Sequence, residues 1–137
     1  MSKLFAALVC LMMVSGAQAQ SLKQKKAMAA DAEKAKEEVA EIQKVCGCAP
    51  KFTVNYAELT TDEDQLIPSR TRGQVKSALE NLCKDAEGKK AVCAKLKEVV
   101  VKKGEPKPST FKGTTLTVTR LRDTSQGDIE TILENNL

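Results

Sequence analysis

Apolar positions along this chain follow two rhythms, one helical and one strand-like, and the segments that carry them alternate. Between Ser21 and Val45 and on to the next residue, Met28, Ala32, Ala35, Val39, Ile42 and Cys46 recur at spacings of four and three, while lysines and glutamates fill the other faces. That spacing predicts one long helix with a thin apolar stripe. Asp31 with Lys34, Lys34 with Glu38, and Glu41 with Lys44 are placed to pair along it, adding a few tenths of a kcal/mol each. Residues 20–27, with Lys23, Lys25 and Lys26, are expected to fray. Gly47 supplies the left-handed residue that ends a helix, and Pro50 blocks its resumption. Phe52, Val54 and Tyr56 then alternate with Thr53 and Asn55, the period of a half-buried strand. The acidic stretch from Leu59 to Ser69, turning on Pro68, reads as a loop.

Thr71 and Gln74 match a capping box ahead of Val75, Ala78, Leu79, Leu82 and Cys83, which predict a second helix. Asp85 to Gly88 reads as a break, after which Val92, Cys93 and Leu96 resume a helical face. Val99, Val100 and Val101 are β-branched and predict a strand from about Glu98. Gly104 to Ser109 is rich in turn formers, and Thr114 to Leu121 alternates as another strand, expected to pair with the preceding one as a hairpin. Ser125 and Asp128 signal a closing helix that carries Ile129, Ile132 and Leu133. The order predicts an α+β domain: a small three-stranded, mainly antiparallel sheet with helices packed on one face, and a long N-terminal helix.

The first residues have a different character. Met1-Ser2-Lys3 precedes the apolar run Leu4 to Val14, and small residues occupy Ala17 and Ala19. This predicts a secretory signal peptide, residues 1–19, cut after Ala19 and leaving 20–137 as a single domain in a periplasm or outside the cell. A retained anchor is the alternative, although the run falls short of the roughly 20 apolar residues that span a bilayer. No membrane span is expected after cleavage. Cys10 leaves with the signal, since no small residue precedes it as a lipidated cysteine requires.

Charge and composition narrow the function. Cleavage removes only Lys3 among charged residues and so lowers the net charge of +4 by one. Both signs are interleaved, and the aromatics left are Phe52, Tyr56 and Phe111, so the basic stripe with interspersed aromatics of a nucleic-acid binder is missing. The chain has no histidine. That removes Ser-His-Asp and Cys-His catalysis and histidine-ligated zinc. Glycine-rich phosphate loops and G-x-S-x-G are absent as well, and no catalytic residue or cofactor is assigned.

Four cysteines remain: Cys46, Cys48, Cys83 and Cys93. An even number in an exported chain predicts disulfides, with three connectivities possible. Bonding Cys46 to Cys48 would strain a small ring, because half-cystine α-carbons prefer about 5.5 Å. Crossed bridges from the VCGCAP segment to Cys83 and Cys93 are favoured, and a local Cys83–Cys93 bridge stays open. An exchangeable C-G-C dithiol or a thiolate metal site is the competing reading. Against it, Cys46 closes a helix, where the dipole opposes thiolate formation.

The Pro106-Lys107-Pro108 tip is the candidate binding point, a stiff basic turn able to enter a protease cleft or dock on a partner. Thr115, Thr117 and Thr119 share one strand face and read as ordinary solvent-side residues. Asp62, Glu63 and Asp64 lack the spacing of a calcium loop. The expectation is a small exported, non-catalytic binding module of adaptor or inhibitor type, held by two disulfides and favouring a monomer, with another protein or an envelope component as partner. Thiol-disulfide or metal handling through C-G-C is one alternative. An envelope structural protein that self-associates along the Met28–Ile42 stripe is the other.

Overall fold

A computed structural model of the protein describes residues 22–105, 107–120 and 128–137; the expected signal peptide, residues 1–19, and Pro106, Leu121 and Ser125 lie outside these. The chain runs through helix α1 (Leu22–Cys46), strand β1 (Lys51–Val54), helices α2 (Leu66–Leu82) and α3 (Ala86–Lys95), strands β2 (Glu98–Lys103), β3 (Thr110–Lys112) and β4 (Thr115–Arg120), and helix α4 (Asp128–Asn136). It is an α+β fold, but its sheet has four strands in the order β1-β2-β4-β3.

The expected three-stranded, mainly antiparallel sheet is corrected. β2 lies parallel to both β1 and β4, and only β3 runs antiparallel, against β4. The predicted hairpin between β2 and β4 fails because the chain leaving Lys103 does not turn straight back. It arches over the end of β4, descends the outer edge as the short β3, and enters β4 through the tight Gly113-Thr114 turn, where Gly113 takes φ 65°. Two glycine-proximal prolines and three β3 residues hide this detour within what reads as one loop.

The strands bury one face. Phe52, Val99, Leu116 and Phe111 lie side by side across the sheet, as do Val54, Val101 and Val118. Val99, Leu116 and Val118 are fully shielded, and against this face pack Val75 and Leu79 of α2, Val92 of α3, and Ile129 and Leu133 of α4. Burying each such side chain contributes about 1.5–3 kcal/mol.

Helix α1 stops as expected, with Gly47 at φ 81° donating its N–H to the Gln43 carbonyl at 2.9 Å. Leu22–Ala27, expected to fray, form its first turns, with Lys23 bonded to Asp62 and Gln24 to the Thr60 carbonyl. Its buried seam is rotated from the predicted stripe: Ala32 is exposed, whereas Glu38 is buried beside Ile42 and Cys46. Helix α2 begins at Leu66, inside the predicted loop. Pro68 is its third residue, a position whose N–H has no partner within a helix, so the proline costs nothing there. Thr71 caps nothing and is buried in the helix interior; Gln65 precedes the helix without a side-chain cap.

The break at Asp85 is real. Asp85 caps α3 by accepting from the Gly88 N–H at 2.7 Å. Gly88 permits this sharp join, since a β-carbon there would lie 1.7 Å from the Leu82 carbonyl oxygen. Strand β1 ends at Val54, and Tyr56, expected to extend it, opens a short 3-10 turn capped by Asn55.

Candidate functional site

The C-G-C segment anchors the molecule. Cys46 is the last residue of α1 and bonds to Cys83 at the end of α2; Cys48, leading into β1, bonds to Cys93 in α3. Gly47 turns the chain between them so that neighbouring sulfurs leave toward different helices. The bridges span 37 and 45 residues and interlace. Cys46 and Cys83 are buried, while Cys48 and Cys93 are partly exposed. Two disulfides fit an oxidising environment. Among the described residues no helix is long and apolar enough to cross a membrane.

A buried ion network ties α1 to α2. Arg72 is 1% exposed and donates two bonds to the Asp31 carboxylate, at 2.9 and 2.6 Å, while its Nε reaches Glu38 at 3.3 Å. The Tyr56 hydroxyl donates to the same Asp31 at 2.6 Å. Burial, then the hydrogen bond to Asp31 and the charge of that carboxylate, push the Tyr56 pKa up to about 12. For Arg72, burial opposes the charge, but its bonds to Asp31 and the field of Asp31 and Glu38 win and raise its pKa. Sequence spacing assigned these acids to lysines on their own helix. The missed signal is that Asp31, Ala35, Glu38 and Ile42 share one face, which places two carboxylates on the packed seam.

The second polar centre lies where the parallel strands end, the edge at which open α/β sheets collect functional loops. Lys103 closes β2 and donates to Asp64 at 2.7 Å, and the same carboxylate accepts from the Thr60 and Thr61 N–H groups at 3.1 Å. Burial would raise the Asp64 pKa; the bonds from Lys103, Thr61 and Thr60 outweigh it and hold the carboxyl below its usual value.

Beside it stands Arg120, the last residue of β4 and 5% exposed. Because the chain must pass over the end of β4 to reach β3, its arch lies on this guanidinium. Nη1 donates to the carbonyls of Lys107 at 2.8 Å and Thr119 at 2.7 Å. Nη2 donates to Ser109 Oγ at 3.1 Å and Asp128 Oδ1 at 2.6 Å. Asp128, at the start of α4, also accepts from the Ser109 N–H. Burial works to raise the Asp128 pKa, but Ser109, through backbone and side chain, and Arg120 lower it. Burial dominates at Arg120 and lowers its pKa from the ordinary arginine value. Above this brace Lys107 and Pro108 are exposed. Pro106, the third residue expected at the tip, is outside the described residues.

Other candidates disperse. Asp62 turns to Lys23 and Asp64 to Lys103, so the acidic triplet does not converge. Among the described residues no group of three histidine, cysteine, aspartate or glutamate side chains could hold a metal ion. Thr115 and Thr117 are half-buried on the face away from the helices, and Thr119 is buried, with Gly104 folded against its methyl group. The three therefore do not form one exposed row. At the strand ends the carboxylates are held ionised by fixed donors, and the Ser109 hydroxyl is 2% exposed and engaged as an acceptor. Such a constellation fixes a backbone and presents a cation. No family model, curated protein or solved structure matches the chain.

Proposed function

We propose that the chain is a small exported interaction module, of adaptor or inhibitor type, that contacts its partner through the Lys107–Pro108 arch. The observation carrying this reading is the bond from buried Arg120 to the Lys107 carbonyl while the Lys107 residue stays exposed. A loop held in place before binding avoids an ordering cost of about 0.5–1.5 kcal/mol for each side chain that would otherwise be immobilised. The disulfide frame supports the same reading, since its bridges engage all four cysteines of the domain and leave none as a thiol in this state. The α1 stripe supports a monomer rather than self-association, because Ile42 is already buried in the domain core.

A photo-crosslinking residue placed at 107 in cells that express the protein tests the reading, with position 36 on exposed α1 as the control. A dominant protein adduct at 107 only, weakened by Arg120→Leu, is expected. Identical adducts from both positions, or indifference to Arg120→Leu, would overturn it. The inhibitor form further requires that the protein block a trypsin-like protease and that Lys107→Ala abolish the block.

A further inference from the structure

Gly73 lies mid-way along α2, where glycine is less favourable than alanine and nothing among the described residues calls for it. Its backbone is not left-handed, and a β-carbon built there meets no atom of the described residues within 4 Å. This contrasts with Gly88, which close approach to Leu82 demands. The missing side chain lowers the crest of α2 between two open cavities, one of about 430 Å³ toward α4 and one of about 290 Å³ toward α1. Gly73 and Ser77 line both. A trough therefore crosses the helical layer from α1, over the backbone of α2, to α4.

The trough is acidic in a chain whose net charge is +4. Its lining holds five carboxylates and three cations. The buried Arg72–Asp31 pair adds one of each sign and leaves the excess unchanged. Lys76 is already occupied by Glu41 and Glu80. Glu37 is exposed and has no ion-pair partner among the described residues.

We propose that this trough receives a cationic polypeptide segment of a partner protein, seated across α2 with a bulky side chain over Gly73 and its lysines or arginines facing Glu37, Glu41 and Glu130. Charge complementarity selects a basic occupant, and two open grooves joined over one glycine suit a helix or extended segment better than a small molecule. The surface shares no residue with the Lys107 arch and stands or falls separately from it.

The test titrates the ¹⁵N-labelled protein with a short helical peptide of lysine, leucine and alanine, and with its glutamate-for-lysine counterpart. Expected are amide shifts at Gly73, Ser77 and Glu130 with the lysine peptide and none with the glutamate peptide. Gly73→Ala is expected to raise Tm, and Gly73→Leu to keep the fold while weakening the lysine peptide about tenfold or more. Should Gly73→Leu unfold, Glu37→Gln with Glu41→Gln carries the test, and weaker binding with a flatter salt dependence is required. Equal binding of both peptides, no binding of either, shifts confined to other surfaces, or wild-type affinity in these variants would overturn the proposal. So would a dimer by sedimentation that both Gly73→Leu and Lys107→Ala dissolve, since the occupant is then a second copy.

Discussion

Tyr56 is the only tyrosine in a chain without tryptophan, so its ionisation can be followed alone by tyrosinate absorbance. The native protein is expected to titrate near pH 12 and the denatured protein near its ordinary value of about 10. A raised folded pKa means that this side chain's contribution to stability is whole below about pH 10 and disappears as pH climbs toward 12. A native midpoint near 10 would show that the hydroxyl is neither buried nor bonded to Asp31. Glycine offers a second single-residue test, since Gly88→Ala drives a methyl group into the Leu82 carbonyl. It is expected to cost roughly 1–3 kcal/mol in chemical denaturation, as overpacking usually does. At this scale the sequence was readable where the cause is local. Gly47 announced its own left-handed stop, and Asp85 its break. Tyr56 and Arg72 were not readable, because their partner Asp31 lies 25 and 41 positions away and only the packed fold brings them together.

Among the elements, α1 was legible from its long period and α4 from the apolar spacing of Ile129, Ile132 and Leu133. The start of α2 was concealed by Pro68, which signals a turn in most contexts and is harmless in the first turn of a helix. The arch between β2 and β3 tests how elements are coupled. Asp128 belongs to α4 yet accepts the Ser109 N–H beside the arch and pairs with Arg120 beneath it. Asp128→Ala is expected to speed hydrogen exchange at the Ser109 amide by about tenfold or more while exchange within β2 stays unchanged, since losing the bonds from Ser109 and Arg120, about 1.5–3 kcal/mol each, frees only the local segment. Uniform acceleration across the sheet would mean that the brace supports the whole fold.

For the molecule entire, acid should act through the strand-end carboxylates. Asp64 and Asp128 have lowered folded pKa values, so their contribution is present above about pH 4 and is lost as pH falls through those depressed values. The urea midpoint is expected to drop below about pH 4, and less steeply in Asp64→Asn with Asp128→Asn. Replacing Cys46 and Cys83 by alanine should remove about 4 kcal/mol in the chain-entropy treatment of a 37-residue loop. Strand direction was the property least visible in advance: alternation at Val99, Val101, Leu116 and Val118 marks the buried face equally well for parallel and antiparallel neighbours. Only the path of the intervening chain decides, and a three-residue edge strand such as Thr110–Lys112 leaves too short a pattern to reveal that path.

The interlaced bridges also govern how the protein matures. An oxidase that joins cysteines in their order of emergence meets Cys83 before Cys93, with Cys46 and Cys48 both waiting and a single glycine apart. Capture of Cys83 by Cys48 closes a loop of almost the native size yet commits the last two sulfurs to the wrong helices. Oxidative refolding of the reduced protein is therefore expected to yield a scrambled monomer of unchanged mass beside the native one, and an added disulfide isomerase to convert the first into the second.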